Sequence, residues 1–300
     1  MKKIVILCGG IGGAKLVKGF YNNSNFDLTV VVNTGDDAFI HGVHLSPDLD
    51  SVMYALAGVE GEFGWGRKND SFKAHKVFSE LMKGFDFQLG DMDLGVNLYR
   101  TQLLNEGKKL TEITHSISDF FGLSNNIYPM SDDAVNTKIV TKNDKLLDFQ
   151  DYFVLQKATP EIKEVIYFGS NNASVSKELV DRITSSELIV IAPSNPVLSI
   201  QPILSIEEYT IALKDHNNVI SVSPFIGNKT IKGPAANNFK DLGFQTNSSG
   251  LMDYYNNIIN KIIVNTGDKN TTNGNEVIET NTVMKTYEDS IGLANFICEL

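Results

Sequence analysis

The chain has 300 residues and a formal net charge of −10, with 42% hydrophobic and 21% charged residues. This length and composition describe an ordinary globular protein with a substantial core. The acidic balance, without a Lys/Arg run, argues against nucleic acid or an anionic membrane as partner. Because no apolar run is long enough to span a membrane and Met1-Lys2-Lys3 leads directly into a strand, we expect a cytoplasmic protein. The two cysteines, Cys8 and Cys298, favour buried free thiols over a disulfide.

The first 33 residues predict a βαβ unit. Residues 4–7 and 28–32 are continuous apolar runs, as in strands that are covered on both faces of a parallel sheet. Between them, residues 14–21 place Leu16, Val17 and Phe20 at helical spacing. A parallel pair joined by a helix is therefore expected.

The next part of the chain is mostly helical in pattern. Ser46-Pro47 is typical of a helix start, with Ser as N-cap and Pro at the first position, and this helix should run to Gly58. Helical spacing then predicts helices over 72–82, 93–104 and 110–120. We interpret about 51–125 as a helical insertion subdomain within a single domain of residues 1–300.

The later sequence returns to strands. Predicted strands cover 127–130, 138–140, 145–149, 165–168, 188–191, 218–222 and 262–264. The strands over 138–140 and 145–149 should form a hairpin through Lys142-Asn143-Asp144. The strands over 165–168 and 188–191 should be parallel. A helix is expected over 174–184, a surface loop over 265–280 and a last helix over 287–300. The alternation predicts an α/β fold, Rossmann-like and doubly wound, with a mostly parallel sheet.

A glycine-rich loop follows the first strand. Gly10, Gly12 and Gly13 would allow a phosphate close to the backbone at a helix start, and Lys15 adds positive charge there. The loop matches neither a Walker A sequence nor the full dinucleotide fingerprint. The alternative is a tight strand-to-helix turn.

The second strand leads into a segment with four carboxylates. Asp36 and Asp37 follow the strand, and Asp48 and Asp50 lie in the opening turn of the next helix. Carboxylates together with substrate phosphates are typical of a magnesium site. Helix-dipole complementation and a turn are the alternative for these aspartates. His41 and His44 lack a third nitrogen or sulfur ligand, which favours a structural role.

Three later loops also follow predicted strands: Ser131-Asp132-Asp133, residues 192–196 and residues 223–227. Together with the first two loops they should lie at one edge of the sheet, where open α/β sheets bind ligands. Trp65, the only tryptophan, lies between two glycines. It would either stack on a flat ring or belong to the core.

Eight segments form a combined pattern in this order: Gly9-Gly10-Ile11-Gly12-Gly13-Ala14-Lys15, Val32-Asn33-Thr34-Gly35-Asp36-Asp37, Ser46-Pro47-Asp48-Leu49-Asp50, Gly64-Trp65-Gly66, Leu89-Gly90-Asp91, Pro129-Met130-Ser131-Asp132-Asp133, Ala192-Pro193-Ser194-Asn195-Pro196 and Ser223-Pro224-Phe225-Ile226-Gly227. Together they resemble the 2-phospho-L-lactate transferases of deazaflavin coenzyme F-420 biosynthesis. The resemblance extends over nearly the whole chain.

The resemblance implies a Mg²⁺-dependent transferase, commonly a homodimer. It would move a phospholactyl or phosphoenolpyruvyl group from a guanosine diphospho donor to the ribityl hydroxyl of the deazaflavin Fo, releasing GMP. Asp50, Gln88 and Trp65 would bind Fo, and Asp37 and Asp50 would hold the metal. The residues assigned to the nucleotide and its phosphates are Gly10, Gly12, Gly13, Lys15, Asn33, Ser131, Asp132, Ser194 and Asn195.

Two departures from the family pattern affect the phosphate contacts. Relatives often have Arg where this chain has Met92, and some have a basic residue in place of Gln88. Lys15, Arg67 and Arg100 are candidates for the missing contact.

Several alternatives stay open at this point. Asp50 would act as a metal ligand or as the base, and the donor carries either lactate or enolpyruvate. A non-catalytic nucleotide-sugar-binding regulator of related fold is the second functional hypothesis, which the clustered aspartates disfavour. A dinucleotide-dependent dehydrogenase is the third, which the imperfect fingerprint disfavours.

Overall fold

The computed structural model describes residues 1–21, 23–62, 64–82, 87–124, 126–269 and 276–300. The strands in these ranges are β1 Lys2–Cys8, β2 Phe26–Val32, β3 Ala38–Ile40, β4 Val43–Leu45, β5 Ile127–Pro129, β6 Asn136–Thr141, β7 Leu146–Asp148, β8 Ile162–Phe168, β9 Leu188–Ile191, β10 Val219–Val222, β11 Phe225–Ile226, β12 Lys229–Thr230, β13 Lys261–Asn265 and β14 Glu276–Thr280. The α-helices are α1 Gly10–Tyr21, α2 Pro47–Ala57, α3 Lys73–Leu81, α4 Asp91–Asn105, α5 Leu110–Phe120, α6 Lys177–Thr184, α7 Gln201–Leu204, α8 Glu207–Lys214, α9 Ala235–Asp241, α10 Ser248–Tyr255 and α11 Tyr287–Cys298.

The central sheet has seven strands within these ranges, in the order β14-β13-β10-β9-β1-β2-β5. Every neighbouring pair in it is parallel. The predicted α/β fold with a doubly wound parallel sheet is therefore confirmed.

The apolar runs of the central strands are explained by cores on both faces of the sheet. Val5 and Leu7 point into one core, while Ile4 and Ile6 point into the other. A parallel strand whose two faces are both covered needs hydrophobic residues at consecutive positions rather than at alternate ones. Cys8 is buried at the end of β1, as expected, whereas Cys298 is only partly buried.

Two sequence predictions were wrong. Strand β8 is not part of the parallel sheet but pairs antiparallel with β6 in a separate three-stranded sheet, in which β6 and β7 form the predicted hairpin. Only one face of β8 packs against the core, and its outer face is exposed. The segment 265–280 is also not entirely a surface loop, because β14 pairs in parallel with β13 at the sheet edge. Residues 270–275 of that segment lie outside the described ranges.

The chain order creates a switch point in the sheet. After β1 the chain continues to β2 and β5 on one side, and it later returns to β9 on the other side of β1. The loops after β1 and β9 therefore leave adjacent strand ends at the point where the strand order reverses, which is where ligands bind in doubly wound sheets. Helices α2 to α5 are inserted between β4 and β5. None of the described helices has the length and apolar character that crossing a bilayer requires.

Candidate active site

The loops after β1 and β9 pack tightly against each other at the switch point. Gly9 donates its N–H to Ser194 Oγ at 3.1 Å. A Cβ on Gly12 would lie 2.4 Å from the carbonyl oxygen of Pro193, and a Cβ on Gly13 would lie 2.7 Å from Ser194 Oγ. Glycine is therefore required at both positions because the second loop occupies the space of a side chain.

A cavity of about 870 Å³ opens at this edge of the sheet. The loop after β1 contributes Gly10, Ile11, Gly12 and Lys15 to its wall. Other parts of the wall are acidic, aromatic or polar: Asp36, Asp48, Asp50, Asp93, Trp65, Gln88, Phe149, Phe153, Ser194, Asn195, Ser223 and Lys232. One continuous space thus joins a helix N-terminus, a group of carboxylates and several flat side chains.

Asn33 and Asp48 connect the carboxylates to the glycine loop. Asp48 Oδ1 accepts the N–H of Gly10 at 2.6 Å, and Asp48 Oδ2 accepts from the side-chain amide of Asn33 at 2.9 Å. The same amide donates to Asp36 Oδ1 at 3.2 Å. Burial raises the pKa of Asp48 to about 6, even though both hydrogen bonds oppose the rise. Asn33 is fully buried and bridges two acidic side chains instead of lining the cavity.

Asp37, one of the two predicted metal ligands, does not line the cavity. Its Oδ2 accepts from Ser46 Oγ at 2.8 Å and is 3.7 Å from His44 Nε2, while its Oδ1 is buried without a hydrogen-bond partner among the described residues. Burial raises the pKa of Asp37 well above its usual range. Burial and the nearby Arg100 lower the pKa of His44 to about 4, so this imidazole is neutral at pH 7. The site therefore has an unsatisfied acidic oxygen and no neighbouring His⁺ to compensate it.

Asp50 lies in the first turn of α2 and lines the cavity. It forms a buried ion pair with Arg100 of α4. Burial raises the pKa of Asp50, and the charge of Arg100 opposes that rise. The predicted helix start at Pro47 is confirmed, but the hydroxyl of Ser46 bonds to Asp37 rather than capping α2. The helix start thus places two of the acidic side chains at the strand ends.

The structure adds Asp93, which sequence reasoning did not select. It lines the cavity from the first turn of α4, and its Oδ1 accepts from Tyr54 Oη at 2.7 Å. Burial, followed by the charge of Asp50, raises the pKa of Asp93 to about 6. Its signal in the sequence was Gly90-Asp91-Met92-Asp93 at a helix start. From the sequence, this segment was considered only for the Arg that relatives often have in place of Met92.

The three basic candidates have different surroundings. Lys15 lines the cavity, and its ammonium group donates to the carbonyl of Met284 at 2.9 Å. Arg67 stacks over the rings of Tyr54 and Phe121, at 5.8 and 5.2 Å from their centroids. Arg100 is buried against Asp50. Neither arginine lines the cavity, whereas Lys232 does.

Some residues assigned to the nucleotide have other contacts. Ser131 Oγ donates to the carbonyl of Ser174 at 2.7 Å, and Asp132 Oδ1 accepts the N–H of Thr111 at 2.8 Å. Neither residue lines the cavity, and Gly13 does not either. Asn195 does, but its side-chain oxygen accepts the N–H groups of Val197 and Leu198. Its side-chain oxygen therefore stabilises the turn after β9.

The aromatic part of the wall is open. Trp65 is 51% exposed and lines the cavity, so it does not belong to the core. Gln88 is also exposed on the wall. Phe149 and Phe153 stack on each other with their centroids 5.4 Å apart. Flat apolar groups therefore border the polar part of the cavity.

No three His, Cys, Asp or Glu side chains within the described ranges are arranged to hold a metal ion by themselves. The donor set nevertheless fits Mg²⁺, which takes one or two carboxylates together with phosphate oxygens and water. The unpartnered Oδ1 of Asp37 supports this fit, since a buried acidic oxygen without a donor is costly.

The fold and the cavity define a doubly wound α/β protein with a ligand site at its switch point. The family model of "2-phospho-L-lactate transferase CofD" matches residues 4–292. This chain belongs to the 2-phospho-L-lactate transferase family and is an enzyme of the transferase class.

Relatives and solved structures agree with this assignment. The chain is 38% identical to the 2-phospho-L-lactate transferase of Methanocaldococcus jannaschii, covering 99% of this chain and 97% of the relative. It is 36% identical to that of Methanococcus maripaludis strain S2, covering 99% and 98%. A crystal structure of a UPF0052 family member from Bacillus halodurans shares the fold, with a TM-score of 0.69, 16% identity and 99% coverage of both chains. The resemblance seen in the sequence is therefore confirmed.

Proposed function

We propose that this enzyme transfers a 2-phospho-L-lactate or phosphoenolpyruvate group from a guanosine diphospho donor to the ribityl hydroxyl of the deazaflavin Fo and releases GMP. The observation that carries the proposal is the single cavity that joins the glycine loop, the buried carboxylates and the exposed aromatic wall. A reaction between two large substrates requires such a shared space, because the hydroxyl must reach the diphosphate.

The glycine-loop end suits the diphosphate of the donor. First-turn N–H groups of α1 have no acceptor within the helix, and they carry partial positive charge. Ile11 and Gly12 belong to this turn and line the cavity together with Lys15. Ser194 and Asn195 lie on the facing loop. These residues would bind and orient the diphosphate, with Lys232 as an additional cation.

The aromatic end suits the flat ring system of Fo. Trp65 contributes a half-exposed indole to the cavity wall, and Gln88 offers an amide that donates and accepts hydrogen bonds. Fo bound here would extend its ribityl chain toward Asp50, which lines the same cavity. The proposed acceptor site therefore consists of Trp65, Gln88 and Asp50.

The chemical step would be a displacement at the phosphorus that carries the lactyl or enolpyruvyl group. The ribityl oxygen forms the new P–O bond, and the bond from that phosphorus to the bridging oxygen breaks, so GMP leaves with the bridging oxygen. Asp50 would hold the hydroxyl in place and receive its proton, or contribute its charge to the metal site. Such transfer needs positioning and charge compensation more than a covalent nucleophile.

Asp37 and Asp50 are the proposed residues for Mg²⁺. When bound, the cation would neutralise charge that develops on the phosphate oxygens. Asn33 and Ser46 orient the acidic side chains around this position through their hydrogen bonds.

The test is GMP release from the purified protein incubated with Fo, the guanosine diphospho donor and Mg²⁺. We expect turnover that stops when EDTA removes the metal. Asp50→Asn should lower kcat at least about 100-fold while the variant stays folded, because it removes an acidic group next to the reacting hydroxyl.

Asp253→Asn, an exposed substitution on α10, is the matched control and should have wild-type kcat. Near-normal turnover of Asp50→Asn would exclude Asp50 from the mechanism. Donor binding without any GMP release by the wild type would refute transfer and favour a nucleotide-binding regulator.

A further inference from the structure

Arg100 is the largest side chain that is fully buried in the described part of the chain, with 1% of its surface exposed. A guanidinium is always charged at neutral pH, and burial of a charge is tolerated only when it is paired and hydrogen-bonded. The position of Arg100 therefore depends on the groups around it. These groups connect it directly to the proposed active site.

Three acceptors surround the guanidinium. Its Nη2 donates to Asp50 Oδ1 in the buried ion pair. Its Nη1 donates to Asn97 Oδ1 at 2.6 Å and to the carbonyl of His44 at 3.5 Å. Both terminal nitrogens are therefore engaged, and the plane of the guanidinium is fixed relative to α2.

The orientation of Asn97 is fixed in turn. Its Nδ2 donates to the backbone carbonyl of Asp93 at 2.9 Å, one turn earlier in α4. The amide oxygen therefore faces Arg100, as the hydrogen bond requires. A rigid connection runs from the backbone of α4 through Asn97 and Arg100 to Asp50.

Asp50 lines the cavity, but Arg100 does not. The guanidinium approaches Asp50 from behind the wall and contacts Oδ1. A phosphate in the cavity would have to displace Asp50 to reach Arg100. This geometry disfavours the phosphate-contact role that the sequence left open for Arg100.

We propose that Arg100 is a positioning residue that holds Asp50 Oδ1 and thereby orients Oδ2 toward the reacting hydroxyl in the cavity. The proposal rests on the proposed function, since it gives Asp50 a role beside that hydroxyl. Arg100 itself touches no substrate. The inserted helix α4 would thus control the geometry of a carboxylate on α2.

Arg100→Lys tests this proposal because it keeps the positive charge but loses the planar fork that contacts Asp50 and Asn97 together. We expect kcat to fall about 10-fold to 100-fold, since a small misplacement of a reacting group has effects of this size. The KM for the donor should change by less than about 3-fold. Arg182→Lys, in the exposed ion pair with Glu178 on α6, is the matched control and should leave both constants unchanged.

The decisive measurement is the same substitution in the Asp50→Asn background. If Arg100 acts through Asp50, Arg100→Lys should lower the residual turnover of Asp50→Asn by less than about 2-fold, because coupled residues are not additive. An equal fold-loss in both backgrounds would overturn the proposal. A raised donor KM with unchanged kcat would also overturn it and restore the phosphate contact.

Crystal structures of the wild type and of Arg100→Lys give a readout that does not depend on turnover. A rotated Asp50 carboxylate in the variant would support the positioning role, and an unmoved one would overturn it. If the wild type releases no GMP, the proposed function fails, and these two structures alone decide whether Arg100 orients Asp50.

Discussion

At the scale of single residues, the site is held together by polar side chains that do not line the cavity. Asn33 bridges Asp36 and Asp48, Ser46 donates to Asp37, and Arg100 pairs with Asp50. Each of these bonds orients a carboxylate from behind. A carboxylate held in this way keeps its geometry before a ligand arrives, which favours catalysis by pre-organised charge.

Asp93 should make the stability of the protein depend on pH. Its pKa is raised from 3.8 to about 6 by burial and by the charge of Asp50, while Tyr54 and Arg100 oppose the rise and Asp70 adds to it. The folded chain therefore binds this proton more tightly than the unfolded chain. The free energy of unfolding should fall as the pH rises from about 4 to about 6.

The substitution Asp93→Asn removes this proton but keeps an oxygen for Tyr54. Over this pH range the free energy of unfolding of the wild type should fall by up to about 3 kcal/mol, at about 1.4 kcal/mol for each tenfold change in proton affinity. The variant should lack this fall, which urea unfolding at several pH values measures. An identical pH profile for variant and wild type would contradict the raised pKa. Asp253→Asn should retain the wild-type profile.

Sequence reasoning could locate Asp48 and Asp50 because both follow from a local pattern, the Ser-Pro helix start after a strand. It could not determine that Arg100 pairs with Asp50, because the two residues are 50 positions apart along the chain. That pairing depends on how α4 packs against the strand ends. Periodicity reports which face of a helix is buried but not which side chain it meets.

At the scale of elements, α3 and α4 cap each other. Asp70 accepts the N–H groups of Met92 and Asp93 at the start of α4, and Asp91 accepts those of Lys73 and Ala74 at the start of α3. A Cβ on Gly90 would lie 2.2 Å from Asp70 Oδ2, which explains the glycine before Asp91. The reciprocal caps hold the segment that carries Gln88 and Leu89 onto the cavity wall.

Loss of one cap should weaken acceptor binding more than the chemical step. Asp70→Ala should lower the free energy of unfolding by about 1 kcal/mol, the usual cost of a lost N-cap. The KM for Fo should rise several-fold with kcat changed by less than about 2-fold. Steady-state kinetics with varied Fo and urea unfolding measure the two effects.

Asp253→Asn, which touches no helix cap, should change neither quantity. A lower kcat with unchanged KM in Asp70→Ala would show that this segment acts on the reacting groups rather than on Fo binding.

The elements that were predicted wrongly are those whose pairing is set by distant strands. The apolar run at 165–168 favoured a parallel strand, but its partner is β6 in another sheet. Strand β14 lies in a segment whose Asn, Thr and Gly content favoured a surface loop, but it pairs with β13 at the edge of the central sheet. An edge strand has one free side, so its sequence needs less apolar character than a central strand.

At the scale of the whole molecule, the parallel sheet explains why distant motifs form one site. Parallel strands direct all their carboxyl ends to one edge, so the loops after β1, β2, β9 and β10 meet there although they are far apart in sequence. This convergence could be predicted from the strand pattern alone. The contribution of Asp93 from the inserted helix α4 could not, because an insertion has no register with the sheet, and Trp65 and Gln88 were expected here only from the family resemblance.

The charge of the molecule should make nucleotide binding depend on a divalent cation. The net charge is −10, and four aspartates, Asp36, Asp48, Asp50 and Asp93, line this edge of the cavity. A diphosphate that approaches this edge meets acidic side chains beside the amides of α1. GDP alone should therefore bind weakly, and Mg²⁺ should increase its affinity by neutralising both sides.

Thermal unfolding measures this coupling through the stabilisation that a bound ligand gives to the folded state. GDP alone should raise the Tm by less than about 1 °C, whereas GDP with Mg²⁺ at about 100 times the dissociation constant should raise it by roughly 4 to 5 °C. Asp37→Asn keeps an oxygen for the hydroxyl of Ser46 but removes the charge, so it should lose most of the Mg²⁺-dependent rise in Tm. Asp253→Asn should show the full Mg²⁺-dependent rise. An equal Mg²⁺ effect in Asp37→Asn and the wild type would place the cation elsewhere and remove Asp37 from the metal site.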